Sequence, residues 1–441
     1  MEAEIQQILD QLSHLQQQRL ESNPNILLDV GKEEDQDETS QPIRNPPGLC
    51  YIPRRLVVPA GLGGTPITHQ LTEDLRRVLF GGTFHLFNHE WRKSFFRFRE
   101  GDPELSYALE ADRVRDTKTP ETIRTTCQTS NTSPAFSPTQ AGSDRQTLLS
   151  LRDMGQQEQQ TALAAALSDS LWLAGQEERA TVALLTEDSY ITSHLDYTLD
   201  TFTETLQLFT FDRKGDITKF ILDHIHCFNE ESGHGVILFL YSLICSRTVD
   251  GVREDMDSTT SHMLHLSLGS FVCHQALMNL LLTGRACPQV FNGTLSSGED
   301  GEPLESPLKG VLSRGDVGYL TWSQEQMERD VLPQVGSMLK TPRFPVWVCC
   351  INSSFSVLFS LNRSLLSDWK REHQFQLFYY NGQNSQRSTA RLTIDTQSDP
   401  WEAPPPNPEQ DLEKRFPPLE MTIRTKWDGA AIDWNGTTPF Y

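Results

Sequence analysis

The sequence predicts an α+β fold, with helices packed around a central antiparallel sheet. Two observations carry this. In several stretches between residues 65 and 284, apolar side chains recur at three- and four-residue steps, the period of a helix. Late in the chain, FPVWVCCINSSFSVLFSL contains two apolar runs, Val346 to Ile351 and Phe355 to Leu361. They are parted by Asn352, Ser353 and Ser354, the pattern of a hairpin. A third run, FQLFYYNGQ, ends in Asn381 and Gly382, a tight-turn pair, and leads into ARLTIDT.

Taken in order, residues 1–20 place Ile5, Ile8, Leu9, Leu12 and Leu15 on one narrow stripe, which reads as a short appended helix. Residues 21–64 carry the acidic cluster Glu33, Glu34, Asp35, Asp37 and Glu38, then Pro46 and Pro47, the composition of a disordered linker. A folded domain is expected over residues 65–436. It opens with a helix in TPITHQLTEDLRRVLFGG, with Thr72 as N-cap, Leu75, Val78, Leu79 and Phe80 inward, and Gly81 and Gly82 as the stop. The aromatic series Phe84, Phe87, Trp91, Phe95, Phe96 and Phe98 reads as core.

Between residues 110 and 160 large apolar residues thin out among Ser, Thr and Pro, so a disordered insertion or long loop is expected. Helical periodicity returns in TALAAALSDSLWLAG, with Leu163, Ala166, Leu167, Ser170 and Leu171 on one face. A strand follows at Thr205 to Phe211, then helices at Asp216 to Cys227, Val236 to Cys245, and through HQALMNLLLTG, where Gly284 is the stop. The Gly, Ser, Glu and Pro of residues 293–310 predict an exposed loop.

Composition excludes several functions. With 38 basic and 59 acidic side chains the formal net charge is −21, the wrong sign for a nucleic acid partner. The most apolar stretch, VILFLYSLIC, is half the roughly 20 residues of a membrane span, so no membrane is expected. The opening MEAEIQQILDQLSH has acids and glutamines where a secretory signal needs a positive start and an apolar run. Eight irregularly spaced cysteines suit reduced thiols in a cytoplasmic or nuclear protein.

Motifs that carry chemistry are few. GxSxG and the phosphate loop are missing, and GLGG at residues 61–64 has no lysine after it. His262 and His265, with His274 beyond, form a tempting group, but no HExxH or carboxylate partner accompanies them. His224 and His226 are two apart and cannot share a helix face. No metal or cofactor is expected. Cys127 reads as an exposed loop thiol, and Cys227, Cys245, Cys273 and Cys287 as small core residues.

A series of blocks, however, resembles a known family. LRRVLFGG, FNHEWRKSFFRF, LSYAL, TSHMLHLSLGSFVCHQALMNLLLTGRA, DVGYL, VGSMLKTPRFPVWVCC, FSVLFSL, FQLFYYNG, RLTIDT and LEMTIRTKWDGAAIDWNG, in that order, are similar to the MINDY deubiquitinases, especially their fourth subgroup. The resemblance implies a papain-like cysteine peptidase fold that trims ubiquitin chains, chiefly lysine-48-linked ones. It also implies a nucleophile in a GGPCGVLAAVQ segment opening a helix, an oxyanion glutamine shortly before it, and a histidine base in a Ser-His-Phe-Ser hairpin.

The sequence departs from both expectations. After Leu109, where LSYAL ends, it continues EADRVRDTKTPETIRTTCQ, without the glutamine or GGPC. In the hairpin the family's motif becomes Ser353, Ser354, Phe355, Ser356, so Ser354 occupies the base position, and a hydroxyl cannot accept a proton near pH 7. The expectation is therefore an inactive relative, closest to the subgroup's inactive B branch, without catalytic residues and with ubiquitin or polyubiquitin as partner. The rivals are an active deubiquitinase using Cys127 with His85 or His89, and a structural interaction protein without ubiquitin affinity.

Overall fold

The computed structural model describes residues 56–110, 154–192, 197–267, 269–298, 302–383, 385–398, 400–402 and 416–437, all within one unit from Pro53 to Tyr441. The helix expected over residues 1–20, the linker up to residue 55 and residues 111–153 of the expected insertion lie outside the described residues.

Folded structure starts earlier than Thr65. Leu56 and Val58 are buried, and Val58 N donates to Leu185 O at 2.8 Å. Helix α1 (His69–Phe80) is capped by Thr68, whose hydroxyl accepts from Leu71 N at 3.3 Å. Thr72, expected as the cap, is buried one turn further on, and its hydroxyl donates to His69 O at 2.7 Å. Spacing alone could not separate the two threonines, because each is followed by a good helix former. Of the aromatic series, Phe87, Trp91 and Phe96 are core, whereas Phe84 is 64% exposed.

Helix α2 (Gln156–Ala174) begins inside the expected insertion, where Glu158 Oε2 accepts from Gly155 N at 2.9 Å and anchors its first turn. Its expected face, Leu163, Ala166, Leu167, Ser170 and Leu171, is buried. Helices α3 (Lys214–Asp223), α4 (Gly235–Arg247) and α5 (Gln275–Thr283) follow, and α6 (Pro418–Arg424) lies near the C-terminal end. Among the described residues no single helix is long and apolar enough to cross a membrane.

A small antiparallel sheet pairs β1 (Thr65–Pro66), β2 (Ala180–Leu185) and β3 (Leu206–Phe211) in the order β1-β3-β2. Strand β2 escapes sequence reasoning because all six of its residues are buried, leaving no polar alternation to read. It is an edge strand, and α4 covers its open side. Ser242 Oγ accepts from Ala183 N at 2.8 Å and Ser246 Oγ from Thr181 N at 2.9 Å, so two helix hydroxyls replace a missing strand. That explains why serines interrupt an otherwise apolar helix.

Two hairpins come next: β4 (Leu264–Ser267) with β5 (Ser270–Cys273), and β6 (Thr294–Ser297) with β7 (Pro303–Lys309). The second falls where a loop was expected, because β6 is exposed throughout and has no apolar face to reveal it. The main sheet has six strands: β8 (Gly318–Trp322), β9 (Val346–Ile351), β10 (Ser354–Phe359), β11 (Gln374–Tyr380), β12 (Ala390–Asp395) and β13 (Ala431–Asp433). They lie in the order β13-β12-β11-β10-β9-β8, antiparallel except that β8 runs parallel to β9.

The expected tight turn at Asn381 and Gly382 is instead a longer connection, residues 381–389. Gln386 fastens it, accepting from Asn381 N at 2.8 Å and donating to Tyr379 O and Ser388 O at 2.9 Å each. One face of this sheet buries Leu320, Trp347, Cys349, Leu358 and Leu392 beneath α6 and Trp427. The other buries Val346, Val357, Phe359 and Tyr380 against Leu105, Tyr107 and Ala108. The architecture is α+β.

Candidate active site

The β9–β10 hairpin carries the position where a base is expected. Its turn has two residues, Asn352 (φ +47°) and Ser353 (φ +64°), both left-handed as a type I′ connection requires. Asn352 Oδ1 accepts from Gln324 N at 2.9 Å, which fastens the turn. Ser354 is therefore the first residue of β10 rather than part of the turn. It is exposed and faces Ile351 across the hairpin.

Strand alternation puts Ser354, Ser356 and Leu358 on the same face as Ile351, Cys349 and Trp347. Ser356 is buried there, and its Oγ has no hydrogen-bond partner; Trp322 Nε1, on β8 beyond β9, has none either.

The segment ending in Leu109 approaches the sheet from the other face. Leu109 O accepts from the Tyr380 hydroxyl at 2.8 Å, and Tyr107 Oη lies 2.7 Å from Thr389 Oγ1. Tyr380 pairs with Val357, three residues along β10 from Ser354, or about 10 Å at the usual strand rise. On the far side of residues 111–153, Met154 packs beside the same Tyr107 cluster, and Gln159 Nε2 donates to Ser106 O at 2.6 Å. The described segments on either side of residues 111–153 thus meet at one place.

Cys127, the rival nucleophile, lies outside the described residues. His85 and His89 are exposed; the His85 ring packs 6.0 Å from Phe271, and His89 opens a five-residue helix. Burial pushes the thiols of Cys227 and Cys245 up to about 12, that of Cys287 up to about 11, and that of Cys349 higher still. A nucleophilic thiol needs the opposite shift. Cys273 sits across from Leu264 in the β4–β5 hairpin, half-buried against the core. A cleft of ≈ 170 Å³ between α2, α5 and residues 313–317 is lined by Asp169, Trp172, Lys214, Arg314 and Arg343 among others, with no cysteine or histidine.

The histidines behave differently from the cysteines. His224 closes α3 and His226 opens the next turn, their rings 6.2 Å apart. His262, His265 and His274 converge, with ring centroids 5.3 Å apart for His262 and His274 and 4.5 Å for His265 and His274. Among the described residues no three His, Cys, Asp or Glu side chains are arranged to hold a metal ion.

Comparison with known proteins decides the family. The model of the conserved domain of deubiquitinating enzyme MINDY-3/4 matches residues 76–436. The chain belongs to the MINDY-3/4 family.

It is 38% identical over 377 residues to a mouse protein named probable ubiquitin carboxyl-terminal hydrolase MINDY-4, covering 85% of this chain and 47% of the relative. Identity to the human protein of that name is 36% over 376 residues, covering 85% and 46%. A Drosophila melanogaster ubiquitin carboxyl-terminal hydrolase MINDY-3 homolog is 28% identical over 217 residues, covering 48% and 36%. The chain spans about half the length of the MINDY-4 relatives. No solved structure matches.

Within the MINDY-3/4 domain, sequence reasoning singled out Leu109 and Ser354. It did not foresee that the sheet would separate them, nor that the three histidines would meet. Only the spacing of His262 and His265 hinted at the latter.

Proposed function

We propose that this chain is a catalytically inactive MINDY-family protein, a pseudo-deubiquitinase that keeps a papain-like scaffold and binds ubiquitin or polyubiquitin. The observation that carries this reading is Ser354, an exposed hydroxyl opposite Ile351 at the position of the expected base. A serine has no proton-accepting nitrogen, so nothing there can draw a proton from a thiol near neutral pH. The buried thiols support the same reading, because a cysteine whose pKa is raised is a small core residue rather than a nucleophile. The sequence after Leu109 agrees, lacking the Gly-Gly-Pro-Cys that would place a thiolate at the start of a helix.

The test is to incubate the purified chain with lysine-48-linked tetraubiquitin and with an electrophilic ubiquitin probe. Neither chain shortening nor covalent labelling is expected, whereas labelling at Cys127 would establish the active alternative. Titration with mono- and polyubiquitin, followed by NMR, is expected to give chemical-shift changes on ubiquitin. Their absence would leave a structural interaction protein.

A further inference from the structure

We infer that the β4–β5 hairpin is an acid-labile flap, packed around a cluster of three imidazoles in which a charge on His262 or His274 has no partner. His265 belongs to the hairpin, His262 precedes it, and His274 follows it as the N-cap of α5. Each of the two outer rings lies within 5.3 Å of another ring, and no carboxylate among the described residues pairs with any of the three. His265 Nδ1 is buried without a hydrogen-bond partner. His262 Nδ1 meets only the Ser261 hydroxyl, at 3.0 Å, and its ring rests against Gly81, where a Cβ would come within 3.2 Å.

Charged groups on the surrounding elements are engaged elsewhere. At the end of α1, Arg77 pairs with Glu73 at 2.8 Å. The Asp257 carboxylate accepts from Thr259 N and Lys309 N, and Arg253 pairs with Asp74 at 2.6 Å. His85 is exposed beyond Phe271, and Gln275 at the start of α5 bonds Asn279. Nothing therefore offsets a charge on the cluster.

Protonation would put two like charges about 5 Å apart, one of them at the positive end of the α5 dipole. Burial and the neighbouring rings lower His274 to about 4, and burial lowers His262. An imidazole held below its ordinary 6.5 contributes its full stabilisation above that pH. The contribution is lost as pH falls from 6.5 toward the folded value. The flap is anchored by Leu264 and Phe271, both buried, with Phe271 4.7 Å from Phe80. Opening would expose both beside Leu266, the cross-strand partner of Phe271, which is already 58% exposed.

Hydrogen exchange of the full chain between pH 7.5 and 5, corrected for intrinsic rates, tests this. Protection in peptides covering residues 262–274 is expected to fall by up to about tenfold per pH unit below 6.5, while β9 and β10 keep theirs. The His262→Gln/His265→Gln/His274→Gln variant should hold the flap closed across that range. Should the triple variant not fold, His274→Asn retains a capping residue and should move the loss of protection to lower pH. Flap protection that does not vary with pH, a loss shared equally by the main sheet, or the same loss in the variants would overturn the inference.

Discussion

Two buried polar regions of the molecule are handled in opposite ways. Between α1 and residues 197–205, Arg76 is 1% exposed and its guanidinium is enclosed by partners: Thr83 O at 3.1 Å, Asp200 Oδ2 at 3.2 Å, Glu204 Oε1 at 3.4 Å, the carbonyl of Thr198, and the Tyr197 ring below. Asp200 accepts further from Phe202 N, Thr203 N and the Thr203 hydroxyl, and its carboxyl is held below the usual range by those bonds and Arg76 despite burial. Burial and Asp200 push Glu204 up, and only its Oε2 is left without a partner. Along the β8–β10 rim, by contrast, Ser356 Oγ and Trp322 Nε1 are buried with no compensation at all.

The difference teaches which region the fold depends on. A buried charge must be matched or the domain fails, so the Arg76 network is complete apart from one oxygen. A neutral orphan hydroxyl costs only about 1–3 kcal/mol, a burden a large domain can carry.

Three substitutions sharpen or break this comparison. Arg76→Ala strands two carboxylates in the core and should cost about 3–5 kcal/mol, measured by urea denaturation; a loss below about 1 kcal/mol would show that the network is dispensable. Ser356→Ala removes an unsatisfied group and should move stability the other way, by about 1 kcal/mol. If it destabilises, the hydroxyl has a partner such as an ordered water. Ser354→His changes an exposed side chain, so stability should stay within about 0.5 kcal/mol. Restoring an imidazole there should not yield hydrolysis of lysine-48-linked chains, because the sequence after Leu109 still lacks the Gly-Gly-Pro-Cys nucleophile segment; any turnover would place a competent nucleophile near β10.

Legibility followed the local signal. The hairpin of Val346 to Leu361 could be read because two apolar runs flank a polar turn, and α5 because Gly284 sits at φ +73° just past its end. Strand β2 could not, being buried on both faces, and neither could the β6–β7 hairpin, whose first strand is buried on none. At the candidate site, the identity of Ser354 was plain from its context. The face it occupies relative to Leu109 was not, because facing depends on register with strands 20 to 30 residues away in sequence.

By itself the sequence determined what chemistry is available, since side-chain identity sets whether a proton acceptor or a nucleophile exists at a given position. Tertiary structure alone decided which groups meet. It gathered three histidines from two sides of a hairpin, joined the segments around Gln159 and Ser106, and left Ser356 without a partner. Contacts of that kind are set by the packing of whole elements, and no local pattern of residues encodes them.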